Sequence, residues 1–122
     1  MKENRLQYEI VVWFSQTYPQ YRGHLFTVNN NTFNVKDAAT KRAMGLFKGV
    51  SDLIFIVPNS GKIAGIEIKA PGSKHTTDHI KIQLEWGNII TNAGGFYLMT
   101  SDEDKIKRFI FSLIKNNFKK AK

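Results

Sequence analysis

The chain has 122 residues, a length that predicts one domain covering residues 1–122. Its residues are 42% hydrophobic and 23% charged, which is typical of a folded domain. It contains no cysteine, which excludes disulfide bonds, a disulfide-linked partner and zinc sites built on thiolates. Eighteen lysines and arginines stand against ten acidic residues, and the formal net charge of +8 favours polyanionic partners, although a solvated basic surface without a partner has the same charge.

The first half of the chain predicts a helix, a short strand and a second, shorter helix. In chain order these are a helix from Glu3 to Tyr18 ended by Pro19, a strand from His24 to Val28, a turn-rich loop from Asn29 to Asn34, and a helix from Asp37 to Phe47 that Gly45 and Gly49 are expected to break. The first ten residues lack the apolar core of a signal peptide, and no run is long enough to span a membrane. We therefore expect a cytoplasmic protein without a membrane partner, in the host cytoplasm if the chain is viral.

The second half predicts a hairpin followed by a helical crossover. The elements are strands Leu53–Val57 and Ile63–Ala70 joined by a turn at 58–61, a helix from Thr76 or Thr77 to Asn92, a strand Phe96–Thr100 and a last helix capped by Ser101. The principal order is helix, strand, strand, strand, helix, strand, helix. This order predicts an α/β fold in which helices flank a mixed central sheet.

Three polar residues accompany the two most apolar strands: Asp52 opens the first, and Glu67 and Lys69 interrupt the second. Because side chains alternate along a strand, Glu67 and Lys69 share one face, and the turn at 58–61 folds Asp52 back towards Glu67. Two converging carboxylates repel each other, and a hard divalent cation such as Mg²⁺ or Mn²⁺ relieves that repulsion. A lysine beside the ion can stabilise charge on a phosphate or help to deprotonate water. The alternative is an edge-strand salt bridge with Asp52 in a turn.

The run from "GVSD" through an apolar strand and a turn to "IEIK" resembles the PD-(D/E)XK nuclease superfamily. The pattern is most similar to the VRR-NUC family in its stand-alone phage or bacterial form, whose small relatives resemble Holliday junction resolvases. The resemblance implies a restriction-endonuclease-like core. It also implies that Asp52, Glu67 and the Ile68 carbonyl bind the metal and that Lys69 is catalytic. Ser51 replaces the proline of the superfamily's name, at a position that supplies backbone shape.

Two further positions match the family in order along the chain. Gln83 in "IKIQLEWG" and Glu9 in "QYEIVVW" correspond to a glutamine and an acid that take part in catalysis, and the acid reaches the metal through water. Helical periodicity places Gln83 inside the apolar arc of its helix, where a buried amide joins the active-site network or caps a sheet edge. Periodicity places Glu9 at the margin of an apolar stripe, as a solvated edge residue or a second-tier ligand.

Basic residues flank this constellation on both sides. The predicted contacts to nucleic acid are Lys36, Lys41, Arg42, Lys48, Lys74 and His75. His75 and His79 are four residues apart, but no third ligand has suitable spacing for zinc, so a structural or DNA-facing role is favoured for both.

These observations lead to a metal-dependent DNA endonuclease that uses Mg²⁺, with Mn²⁺ as a substitute, and that cuts branched, flapped or four-way DNA. The alternatives are a catalytically silent nucleic-acid-binding module and an interaction protein on the same fold. RNA as substrate and the number of metal ions stay open.

The helix after the second strand carries two apolar stripes. We assign Ile80, Leu84, Gly87 and Thr91 to the sheet, and a second stripe of Ile82, Trp86, Ile89 and Ala93 to an interface. The prediction is a homodimer, with the last helix as the competing cover for that stripe.

Overall fold

The computed structural model describes residues 2–28, 35–70 and 77–120. Its elements are helix α1 (Lys2–Thr17), a 3-10 helix (Pro19–Tyr21), strand β1 (Leu25–Thr27), helix α2 (Val35–Ala43), strands β2 (Leu53–Ile56) and β3 (Ile63–Ile68), helix α3 (Thr77–Asn92), strand β4 (Phe96–Thr100) and helix α4 (Glu103–Lys120). The predicted α/β class, with helices flanking a mixed sheet, is confirmed.

The four strands form one sheet in the order β1-β2-β3-β4. The first two pairings are antiparallel, with Leu53 opposite Ile66, and β3 pairs with β4 in parallel, with Glu67 opposite Met99. A parallel pair requires a crossover connection, and α3 supplies it. The antiparallel register of β2 and β3, continued by one residue, brings Asp52 opposite Glu67.

The main core lies between the sheet and the pair α1 and α4. Ala64, Ile66 and Ile68 of β3 face this core and are at most 1% exposed. The core is completed by residues of β2, α1 and α4: Leu53, Phe55, Val57, Ile10, Phe14, Ile106, Ile110 and Leu113. The predicted alternation of β3 is therefore confirmed, and the opposite face of β3, with Gly65 and Glu67, turns towards α3.

Helix α3 packs on the sheet through a face that differs from the predicted one. Its buried residues are Gln83, Gly87 and Ile90, whereas Leu84 is 45% exposed. The assignment of Leu84 and Thr91 to the sheet is therefore wrong. Close approach of helix and sheet explains the rotation, because a Cβ added at Gly87 would lie 2.6 Å from the Tyr97 ring.

The same packing covers part of Trp86, a residue of the predicted dimer interface. Its ring lies directly over Gly65, where an added Cβ would be 2.4 Å from Cζ3, and it meets the Tyr97 ring edge to face at 5.9 Å. Trp86 and Ile82 are half-buried, whereas Ile89 is 49% exposed. Of the predicted interface residues, Ile89 and Ala93 are exposed.

Two helix ends differ from the sequence-based expectation. Helix α2 ends at Ala43 rather than Phe47, because Gly45 adopts a left-handed φ of 108°. Helix α4 is capped by Asp102 rather than Ser101: Asp102 Oδ1 accepts hydrogen bonds from the backbone N–H of Asp104 at 3.0 Å and of Lys105 at 3.3 Å.

None of the helices in the described ranges has the length and apolarity needed to cross a lipid bilayer. Because the chain has no cysteine, it forms no disulfide-linked complex.

Candidate active site

One cleft collects most of the predicted catalytic residues. It has a volume of about 830 Å³ and lies where β2 begins and β3 ends. Asp52, Glu67, Lys69 and Gln83 all line it, although they come from three different segments of the chain. The hairpin brings the acids together, and the crossover helix adds the glutamine.

Asp52 is held by two hydrogen bonds, one to its side chain and one to its backbone. Its Oδ2 accepts a hydrogen bond of 2.7 Å from the backbone N–H of Ile68, and its carbonyl oxygen accepts one of 2.8 Å from the Thr27 hydroxyl. The neighbouring Ser51 is buried, and its hydroxyl donates to the Leu53 carbonyl at 2.9 Å. These contacts hold the carboxylate beside the Ile68 peptide, the position predicted for the metal ligands.

Glu67 is a buried carboxylate, only 4% exposed. Burial of a charged group is costly unless it is paired and hydrogen-bonded. The Gln83 side chain donates to Glu67 Oε2 at 3.0 Å, and Lys69 Nζ lies 3.8 Å from the same oxygen. Both partners lie on the α3 side of the sheet, as the alternation of β3 predicts.

Gln83 connects the acid to the lysine. Its Oε1 accepts a hydrogen bond of 2.5 Å from Lys69 Nζ, while its Nε2 donates to Glu67. These opposite requirements fix the orientation of the amide, because a lysine only donates and a carboxylate only accepts. Of the two roles left open for the buried amide, the structure shows membership of the network.

His79 was missed as a member of this network. Its Nε2 lies 3.2 Å from Gln83 Nε2, and the ring lines the cleft. The signal was available, because His79 precedes Gln83 by four residues and the two positions share one face of a helix. Two amides of α1, Asn4 and Gln7, also line the cleft and were likewise missed.

Glu9 does not join the site. It is not among the residues that line the cleft, and its Oε1 pairs with Arg5 Nε at 3.3 Å, one turn earlier on the exposed side of α1. Its other neighbour is Glu103 of α4, whose pKa is lowered by the hydrogen bond that it accepts from Lys107 Nζ at 2.9 Å. The structure thus places Glu9 at the edge of the contact between α1 and α4 and does not bring it to the cleft, and its predicted part in catalysis or in reaching a metal through water stays a prediction.

Of the predicted nucleic-acid contacts that the structure describes, Lys48 is the one that lies at the cleft. Lys48 lines it, and Lys41 and Arg42 lie in the last turn of α2, with Arg42 exposed. Lys36 belongs to α2, whereas Lys74 and His75 lie outside the described residues. The cations that line the cleft within the described ranges are thus Lys48 and Lys69.

The donor set in the cleft fits a hard divalent cation. Asp52 and Glu67 provide carboxylate oxygens, and the Ile68 peptide lies next to Asp52. Mg²⁺ usually binds to one or two carboxylates and keeps several water molecules. In the described part of the chain, no group of three or more His, Asp or Glu residues is placed to hold a metal. Asp52 and Glu67 are the carboxylates of this cleft that would hold such an ion.

The negative charges of Glu67 and Asp52 affect the pKa of Tyr97. Burial raises the pKa of its hydroxyl above the ordinary value of 10.0, and the negative charges of Glu67 and then Asp52 raise it further. Within the described residues, this hydroxyl is buried without a hydrogen-bond partner. Tyr97 therefore stays a neutral phenol behind the site.

Comparisons with protein-family models, curated proteins and solved structures find no match for this chain. The resemblance to the VRR-NUC family consequently stays a prediction from the residues themselves.

Proposed function

We propose that this protein is a metal-dependent nuclease that hydrolyses phosphodiester bonds in DNA, on a restriction-endonuclease-like core of the VRR-NUC type. The observation that carries the proposal is the joining of Glu67 and Lys69 through the amide of Gln83, in a cleft that also contains Asp52. The net charge of +8 supports a polyanionic substrate.

Each side chain has a distinct part in this proposal. Asp52 and Glu67 hold Mg²⁺, or Mn²⁺ in its place, and the bound ion supplies Lewis-acid activation of phosphate and water. Lys69 lies at the cleft with its Nζ directed by Gln83, and there it stabilises negative charge on the phosphate oxygens. Gln83 positions both charged groups without reacting itself.

The substrate we propose is branched, flapped or four-way DNA. The described part of the chain consists of the sheet and its flanking helices, and shows no separate domain that would read a base sequence. Shape and phosphate contacts then decide where the cleft engages the strand.

A cleavage assay with matched carboxylate variants tests the function. Labelled linear, flapped and four-way DNAs, with an RNA of the same sequence, are digested in Mg²⁺, in Mn²⁺ and in EDTA. Asp52→Asn, Glu67→Gln and Lys69→Ala are each expected to lower the rate at least about 100-fold, the usual cost of losing an electrostatic contact in a transition state.

Glu9→Gln is the matched control, because Glu9 is a carboxylate outside the cleft. It is expected to cut like the unaltered protein. Full activity of a folded Glu67→Gln protein, or cleavage that persists in EDTA, contradicts the proposal. A folded protein that binds DNA but cuts none of these substrates is instead the silent binding module.

A further inference from the structure

A short loop beside the proposed active site contains two glycines with left-handed backbone conformations. Gly45 and Gly49 both have left-handed φ values, 108° and 92°, and they bracket Leu46, Phe47 and Lys48. These backbone conformations are costly for residues with a side chain. The loop therefore has a defined shape encoded by its two glycines.

The first glycine joins this loop to the end of α2. The backbone N–H of Gly45 donates to the Arg42 carbonyl at 3.1 Å, and that of Leu46 donates to the Lys41 carbonyl at 2.8 Å. This pair of hydrogen bonds is the Schellman arrangement of a helix C-terminus. The direction in which the chain leaves α2 is thereby fixed.

The second glycine presses the loop against α3. A Cβ added at Gly49 would lie 2.6 Å from the backbone oxygen of Ile82, the residue before Gln83. The loop is thus anchored at both ends, and its second anchor adjoins the catalytic network.

What this anchored loop presents is an aromatic side chain. Phe47 is 46% exposed, yet it lines the same cleft as Asp52 and Glu67. Leu46 and Val28 are apolar residues that also line the cleft. An exposed aromatic ring is a stacking platform for nucleobases, and every base has a face that can stack.

The cleft also contains neutral groups that could contact a base edge. Asn4 and Gln7 of α1 line it, and each side-chain amide both donates and accepts hydrogen bonds. Unstacked bases are recognised by this combination of aromatic faces and amide groups. Phosphate needs neither an aromatic face nor an amide carbonyl, so electrostatic binding alone does not account for these residues.

We propose that the cleft accepts an unpaired nucleotide next to the scissile phosphate, with the base stacked on Phe47. This inference rests on the proposed nuclease function and specifies its substrate class: a strand with at least one unpaired base at the cut, as at a flap or branch. A base within a continuous duplex is covered on both faces by its neighbours. Phe47 can stack only on a base that has left that arrangement.

Binding separates base stacking from charge, and it requires no cleavage. The Glu67→Gln protein is titrated in Ca²⁺ with a fluorescein-labelled oligothymidylate and with an abasic oligonucleotide of equal length and charge. Adding Phe47→Ala is expected to weaken binding of the oligothymidylate about 5- to 150-fold, the range for one stacked base. Binding of the abasic strand should not change, and Phe47→Trp should restore the affinity.

Phe111→Ala is the matched control, because Phe111 is 52% exposed on α4 and is not a cleft residue. It is expected to leave both affinities unchanged. Circular dichroism and the thermal midpoint establish that the Phe47 variants are folded, and if Phe47→Ala unfolds, fluorescence quenching of Phe47→Trp by the two strands replaces it. Equal affinity for the two strands, or equal losses on both in Phe47→Ala, overturns the stacked base.

The outcomes distinguish this inference from the proposed function. If cleavage depends on Glu67 but the abasic strand and the oligothymidylate bind equally well, the stacked nucleotide is contradicted and the nuclease function is supported. If binding depends on the bases but no substrate is cut, the stacking site is supported and the nuclease function is contradicted. In the active protein, Phe47→Ala is expected to lower cleavage of a flap at least about 5-fold relative to a nicked duplex, and an unchanged ratio contradicts the substrate class.

Discussion

Gln83 and Lys69 are 14 residues apart in the chain, yet the Gln83 Oε1 accepts a hydrogen bond of 2.5 Å from Lys69 Nζ. The same amide donates to Glu67 through its nitrogen at 3.0 Å. The neutral side chain of Gln83 thus makes hydrogen bonds to both Glu67 and Lys69, and the charged groups of these two residues still line the cleft. The contact also ties α3 to β3 at the position where chemistry is proposed.

Removal of this amide should therefore damage activity more than folding. Gln83→Ala leaves Glu67 and Lys69 without their shared partner, and we expect the cleavage rate or metal affinity to fall about 10- to 100-fold, as for residues that orient metal ligands. Asn88→Ala, on the exposed side of α3, is the control and should behave like the unaltered protein. Cleavage rates against Mg²⁺ concentration measure the effect, and an unchanged Gln83→Ala curve contradicts the positioning role.

The cations near the cleft lead to a prediction on salt dependence. In Ca²⁺, the Glu67→Gln protein should bind duplex DNA with an affinity that falls steeply as salt rises, because each phosphate contact releases counterions. Lys48→Ala and Arg42→Ala should each reduce the slope of log K against log salt by about 1. Lys62→Ala is the control, since Lys62 lies in the turn between β2 and β3, at the opposite end from Asp52.

Fluorescence anisotropy over a range of salt concentrations measures these slopes. An affinity that does not respond to salt, or an equal loss of slope in Lys62→Ala, contradicts a basic DNA surface at the cleft.

The sequence predicted the acidic part of the site because that part depends on local rules. Alternation along β3 places Glu67 and Lys69 together, and a hairpin with a short turn brings Asp52 opposite Glu67. Gln83 followed from the resemblance to the VRR-NUC family, and its position within an apolar arc supported it. None of these inferences needed the orientation of one helix relative to another.

The errors concern relationships between elements. Periodicity shows which residues of α1 share a face, but it does not show whether Glu9 meets the sheet or α4. In α3, the bare backbone at Gly65 and Gly87 allows a close approach that turns Leu84 outward and Trp86 inward. A homodimer stays a prediction, with exposed Ile89 as its testable position.

The close approach at Gly65 makes a prediction on stability. A methyl group there would lie 2.4 Å from Trp86 Cζ3, so Gly65→Ala should lower the free energy of unfolding by about 1–3 kcal/mol through overpacking. The smaller ring in Gly65→Ala/Trp86→Phe should accommodate the methyl group, so the double variant should lose less stability than the two single losses combined. Urea denaturation of all four proteins measures this cycle. Strictly additive losses would show that the methyl group and the indole do not compete for space.

The raised pKa of Tyr97 predicts how stability changes in alkali. Its folded-state value lies above the ordinary 10.0, so the unfolded chain loses the phenolic proton first, and stability falls as the pH rises above about 10. Tyr97→Phe removes this contribution and should flatten the decline.

At neutral pH the Tyr97→Phe variant should be about 1 kcal/mol more stable than the unaltered protein, because the buried hydroxyl has no partner in the described residues. Urea unfolding from pH 8 to 11 tests both effects, with the 70% exposed Tyr8→Phe as control. A Tyr97→Phe protein that is less stable at pH 8 would show that the hydroxyl makes a favourable hydrogen bond. A decline in alkali equal to that of the control would show that the pKa of Tyr97 is not raised in the folded protein.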